Sequence, residues 1–219
     1  MELISVSGAC SRAGKTACAV TLLRELAPDA AAVKFTTTED VFKRCPRGTP
    51  CVVCDIPVPF RIVDDPEVLH EAGTDTQLLA EAGSGRVLWA ISKTTAAPQA
   101  WTALRRRIDG EAVVVMEGST VVDLARPAML LFVVHPFLSP ARWKPTSAAL
   151  IRRADAVVVN IPAAEHRAPA LAVMAEIQRH RGRDDARLAD VTRPLAEWAP
   201  DLAARLPPAS ANGRSDAFK

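Results

Sequence analysis

The feature that most constrains this chain is the run from Gly8 to Thr16, GACSRAGKT, set between a short apolar stretch and a helical one. Leu3, Ile4 and Val6 read as a strand, and Ala17–Leu26 reads as a helix. A glycine-bearing turn from strand to helix that ends in Gly-Lys-Thr is the pattern of a phosphate-binding P-loop. The residue types follow from the chemistry. Backbone N–H groups of the loop and the positive end of the helix cradle phosphates. Lys15 reaches the β- and γ-phosphates, and the Thr16 hydroxyl ligates Mg²⁺. Gly14 lets the backbone approach the anion with no Cβ in the way. The candidate nucleotide-binding residues are therefore Gly8, Ser11, Arg12, Ala13, Gly14, Lys15 and Thr16, with Cys18 a little further into the helix.

Composition bounds the rest. A chain of 219 residues, 49% hydrophobic and 24% charged, can bury a full core. The formal net charge of +2 gives no field that would point to nucleic acid. No apolar run approaches the roughly 20 residues of a membrane span. The first residues enter a strand without a signal-peptide pattern, which predicts a cytoplasmic protein. Its five cysteines then read as thiols or metal ligands before disulfides.

Apolar runs recur at Leu3–Val6, Ala30–Phe35, Val87–Ile91, Ala112–Met116, Leu130–Val134 and Ala156–Val159. Most lack polar alternation, as strands buried on both faces do. Helical patterns lie between several of them: Thr76–Ala82, Pro98–Ile108, Thr146–Arg153 and Pro169–Arg181. This alternation predicts an α/β fold, a mostly parallel sheet flanked by helices with right-handed crossovers. Ala186–Val191 reads as a last strand. Residues 1–199 form the expected nucleotide-binding domain, 36–59 an insertion within it, and 200–219 a flexible tail.

Six further groups are candidates. Glu117 ends an apolar strand in VVVMEGST, where ligands gather at the carboxyl edge of a parallel sheet, and can hold Mg²⁺. Lys34 ends the second strand, which would bring its ammonium near the phosphates, and Thr36, Thr37 and Thr38 follow it with hydroxyls. Lys15, Lys34 and Glu117 are the candidate catalytic residues, and Thr16 and Glu117 the candidate Mg²⁺ ligands. Asn160 ends the strand ADAVVVN and is a candidate reader of the base or a turn cap. It lacks the Lys and Asp of Asn-Lys-x-Asp, so adenine and guanine both stay open. Cys45, Cys51 and Cys54, at C-x5-C-x2-C in a Pro-rich segment, predict soft-metal ligands for zinc or an iron–sulfur cluster. Thr74 and Asp75 in GTDTQLLAEAG suit a helix cap. His135, Arg142, Trp143 and Lys144 lie in HPFLSPARWKP, a lid or a packed loop.

The loop departs from the usual G-x-x-x-x-G-K-[ST]. Ala9 holds the usual first-glycine position, and Gly8 lies one residue earlier. A Gly, five residues and Gly-Lys-Thr resembles the loop of dethiobiotin synthetase. The opening also resembles molybdopterin-guanine dinucleotide biosynthesis protein B, as do Glu117-Gly118 after a strand and the GTDTQLLAEAG segment. These resemblances imply a P-loop NTPase fold, ATP or GTP with Mg²⁺, and hydrolysis or phosphoryl transfer in cofactor biosynthesis. An ATP-dependent carboxylate-activating ligase is the alternative enzyme, and a nucleotide-switched metal-cluster adaptor the alternative of another class. The expected partners are nucleotide, a small molecule or protein, and a second copy of the chain in a homodimer, with no membrane and no nucleic acid.

Overall fold

A computed structural model describes residues 1–26, 30–38, 58–83 and 85–207. Eight strands form one sheet: β1 (Glu2–Gly8), β2 (Ala30–Thr37), β3 (Phe60–Val63), β4 (Arg86–Ser92), β5 (Val113–Glu117), β6 (Met129–Val134), β7 (Ala156–Asn160) and β8 (Arg187–Ala189). Their order is β3-β4-β2-β5-β1-β6-β7-β8. Every neighbouring pair is parallel except β3 with β4. The helices are α1 (Lys15–Leu26), α2 (Pro66–Leu69), α3 (Asp75–Glu81), α4 (Ala97–Arg107), α5 (Val122–Ala125), α6 (Ser147–Arg153), α7 (Arg167–Arg181), α8 (Leu195–Trp198) and α9 (Pro200–Ala203).

Side chains alternate across a strand, so an unbroken apolar strand must bury both faces. Ile4 and Val6 of β1, Val113 and Val115 of β5, and Leu131 and Val133 of β6 face α1, α3, α8 and α9 through Leu22, Leu23, Leu79, Trp198 and Leu202. Their sequence neighbours face the other way. Leu3, Val114 and Met116 meet Trp101 and Leu104 of α4. Phe132 and Val134 meet Ile151 of α6 and Ile177 of α7. The sheet is thus sandwiched between two helical layers, the α/β architecture expected from the alternation of runs.

One expectation needs correction, and one strand lies outside the reading. Residues 200–207 are not loose: Pro200–Ala203 is helical, and Leu202 is 2% exposed against the α1 side of the sheet. Phe60–Val63 is a strand that the sequence pattern did not single out. It pairs antiparallel at the sheet edge, with Arg61 exposed in its middle. Cys45, Cys51 and Cys54 lie outside the described residues. Thr37 and Phe60, on either side of that stretch, both register with Ser92 at the end of β4.

Candidate functional site

The sheet order fixes the site. β1 delivers the loop 8–14 to the carboxyl edge, with β5 on one side and β6 on the other. The loop closes on itself and on its neighbours. Ala9 N donates to Val133 O at 3.2 Å, and Cys18 N donates to Gly14 O at 2.9 Å. Ser7 Oγ donates to Gly118 O at 2.7 Å, and Gly118 N to Val6 O at 3.1 Å. The Gly8 that precedes the usual first-glycine position has a packing reason. A Cβ there would lie 2.8 Å from Val133 O and 2.9 Å from Lys15 Cγ. Gly14 has φ +103°, and its Cβ would come within 2.4 Å of Asn160 Nδ2. Arg12 holds the left-handed conformation at φ 60°, uncommon for a residue with a Cβ.

Three side chains converge on Glu117. Thr16 Oγ1 donates to Oε2 at 3.0 Å, Lys34 Nζ donates to Oε2 at 3.1 Å, and Lys15 Nζ stands 3.9 Å from Oε1. Register explains it: Lys34 and Glu117 are direct partners across β2 and β5, and Val6 pairs with Glu117 across β1 and β5. The Glu117 side chain is only 6% exposed, so the carboxylate is held by cations and a hydroxyl in place of water. Lys15 Nζ also donates to Cys10 O at 3.0 Å, folding back over its own loop.

Asp75 completes the cluster, and its part here was not evident from the sequence. α3 packs on the α1 face through Leu79. Its N-cap, Thr74, accepts from Gln77 N at 3.1 Å, as the capping pattern foretold. The next residue, Asp75, makes an ion pair with Lys34 and lies within hydrogen-bonding reach of Thr16. Burial works to raise the Asp75 pKa, but the Lys34 charge and hydrogen bond outweigh it and hold the carboxyl below its ordinary range. For Lys34, burial works to lower the pKa, and Glu117 together with Asp75 raises it above the usual lysine range. The only cue to Asp75 was its place in the GTDT turn, since 41 residues separate it from Lys34.

Other candidates fall in different places. Asn160 braces the loop: Nδ2 donates to Ala13 O at 3.4 Å, and Oδ1 accepts from Val191 N at 3.3 Å. Cys18 is fully buried among core residues, with its thiol pushed up to about 12 by burial. The Thr36 hydroxyl accepts from Trp89 Nε1 at 3.0 Å, and the Thr37 and Thr120 hydroxyls pair at 2.8 Å. Ala13 is buried and Ser11 exposed. Among the described residues no group of three or more His, Cys, Asp or Glu side chains could hold a metal ion. No described helix is long and apolar enough to cross a membrane.

The sheet is parallel apart from its β3 edge, and its central strand feeds the Gly-Lys-Thr loop at the carboxyl edge, where Glu117 and Asp75 stand. No family model matches the chain, and no curated protein matches it in sequence. Among solved structures the chain is similar to the MinC:MinD cell division protein complex of Aquifex aeolicus, at 13% identity and a TM-score of 0.41. That similarity covers 94% of this chain and 86% of the other.

Proposed function

We propose that this chain binds a Mg²⁺–nucleoside triphosphate and hydrolyses it or transfers its terminal phosphoryl group. The observation that carries this reading is the meeting of Lys15, Thr16 and Lys34 on Glu117 at the mouth of the loop. The donor set suits Mg²⁺: one hydroxyl and two carboxylates, all hard oxygen ligands. Thr16, Glu117 and Asp75 would hold the ion, which supplies charge neutralisation at the phosphates. Lys15 binds the β- and γ-phosphates as a mobile point charge. Lys34, anchored between Glu117 and Asp75, orients both carboxylates and stands ready to stabilise charge on the transferring group. The Asn160 amide supports the loop backbone at Ala13, so either ATP or GTP fits this reading.

The setting we propose is cofactor biosynthesis, supported by the resemblance of the loop, Glu117-Gly118 and GTDTQLLAEAG to molybdopterin-guanine dinucleotide biosynthesis protein B. A carboxylate-activating ligase is the second reading, favoured by the loop spacing that resembles dethiobiotin synthetase. Zinc or iron at Cys45, Cys51 and Cys54 belongs to the same proposal, with elemental analysis of anaerobically purified protein as its check.

Calorimetry with ATP and GTP tests the central claim. Lys15→Ala should weaken triphosphate binding on the order of 100-fold, the loss of charge-assisted hydrogen bonds to two phosphates. Glu117→Gln should spare binding in EDTA and raise the Mg²⁺ concentration needed for turnover. Unaltered affinity for both nucleotides in Lys15→Ala would end the P-loop reading.

A further inference from the structure

The charge balance of the site points to a group on its other flank. Lys15 and Lys34 face Glu117 and Asp75, two cations set against two carboxylates. A Mg²⁺–nucleoside triphosphate is still a net anion, and that balanced cluster offers it no surplus positive charge. The surplus stands on the β6 side of the loop. After β6 the chain turns back toward β1 and is tied down by its backbone. Arg142 N donates to Ser139 O at 2.9 Å, Lys144 N to Ala9 O at 3.0 Å, and Ser147 N to Lys144 O at 2.9 Å, where α6 begins. Lys144 is thereby hydrogen-bonded to the residue that follows Gly8.

The charges of Lys15, Cys10, Glu117 and Lys34 act on Lys144, and Lys144 and Arg142 both act on Cys10. Neither Lys144 nor Arg142 has a carboxylate partner among the described residues. Lys144 keeps contact with solvent, yet partial burial and then the Lys15 charge bring its ammonium below the usual lysine range. Two ammonium groups whose charges oppose each other favour an anion that touches both. The phosphate that Lys15 reaches last is the terminal one.

Resting on the nucleotide-binding reading above, we propose that Lys144, backed by Arg142, grips the terminal phosphate of the triphosphate from the β6 side of the loop, opposite Lys34. The loop 135–146 then makes the site prefer triphosphate to diphosphate, which is what product release after phosphoryl transfer requires.

The test is calorimetric binding of non-hydrolysable ATP and GTP analogues, and of ADP and GDP, all with Mg²⁺, to the full chain. Lys144→Ala should weaken the triphosphate analogue roughly tenfold, one charge-assisted hydrogen bond, and leave the diphosphate within about twofold. Lys144→Arg should restore most of the preference. Arg142→Ala should reduce it by a smaller factor. Equal losses for triphosphate and diphosphate in Lys144→Ala would mean that Lys144 only shapes the loop, and would overturn the proposal. An unchanged preference would overturn it too, and would leave an anionic co-substrate as the partner of this flank. Wild-type protein that binds neither nucleotide would overturn the nucleotide reading itself.

Discussion

At the scale of single residues the site is built from conflicts that resolve only in company. Buried Glu117 would be costly alone; Lys15, Thr16 and Lys34 make it tolerable. Lys34 is in turn held by two carboxylates, which fixes an otherwise flexible side chain. Gly14 carries a different constraint. Its φ of +103° excludes ordinary side chains, and the Asn160 amide occupies the space a Cβ would need. Gly14→Ala should therefore cost about 1–3 kcal/mol of stability and weaken nucleotide binding, because the loop must shift to relieve both. Chemical denaturation beside calorimetry checks this. A double variant with Asn160→Ala should recover only part of the loss, since the φ strain remains; full recovery would assign the whole effect to the Asn160 contact.

At the scale of elements, what the sequence made legible is the run of strands and helices, because burial on both faces leaves unbroken apolar stretches. β5, β6 and β7 fall within a residue of the reading and β1 within two, and Lys15, Lys34, Thr16 and Glu117 come together at the carboxyl edge of the sheet. The rest was hidden for physical reasons. β3 is short, lies at the edge and carries exposed Arg61, so it lacks the apolar signature. Asp75 meets Lys34 only because β4 pairs with β2 and α3 packs beside α1, and strand order is not written in local pattern. Asn160 ends a strand and reads as a base reader or a turn cap, and the nearness of the Ala13 carbonyl to its amide was not written in the local pattern. The polar, Pro-rich residues after Pro200 read as a tail, yet a single leucine at the right place makes α9 part of the core. Leu202→Ala should cost about 2–4 kcal/mol, typical of a buried leucine. For a chain of this size that lowers the thermal midpoint by roughly 4–16 °C. A scan showing a shift under about 1 °C would return α9 to the tail.

At the scale of the whole molecule, pH acts at both edges of the sheet, on Asp75 at the carboxyl edge and on Asp185 just before β8 at the amino edge. Folding places Asp75 and Asp185 below the ordinary carboxyl value of 3.8. For Asp75, burial opposes and Lys34 dominates, with Thr16 and Lys15 assisting. For Asp185 the Arg181 hydrogen bonds lead, joined by Arg183. Arg181 itself is buried and donates to the Ile151 and Ala154 carbonyls at 2.7 and 2.9 Å, so this pair pins α7 to the end of α6. A carboxyl with a depressed folded pKa binds its proton more tightly in the unfolded chain. Its stabilising contribution is then complete above the unfolded value and lost as pH falls through the folded one. Lys34 has the opposite sign: its raised pKa stabilises below the ordinary lysine value of 10.5 and fades as pH rises through the folded value. The ligand-free protein should accordingly be most stable between those limits and lose stability at both ends. Asp75→Asn separates the nucleotide site from the rest. It should lower stability at neutral pH, where Lys34 loses a charged partner, and converge with wild type near pH 2, where Asp75 is protonated in both states. Urea titrations from pH 2 to 8 read this directly. A gap between variant and wild type that stays constant down to the lowest pH would mean that Asp75 acts through packing and capping, and that the Lys34 pair adds nothing to the fold.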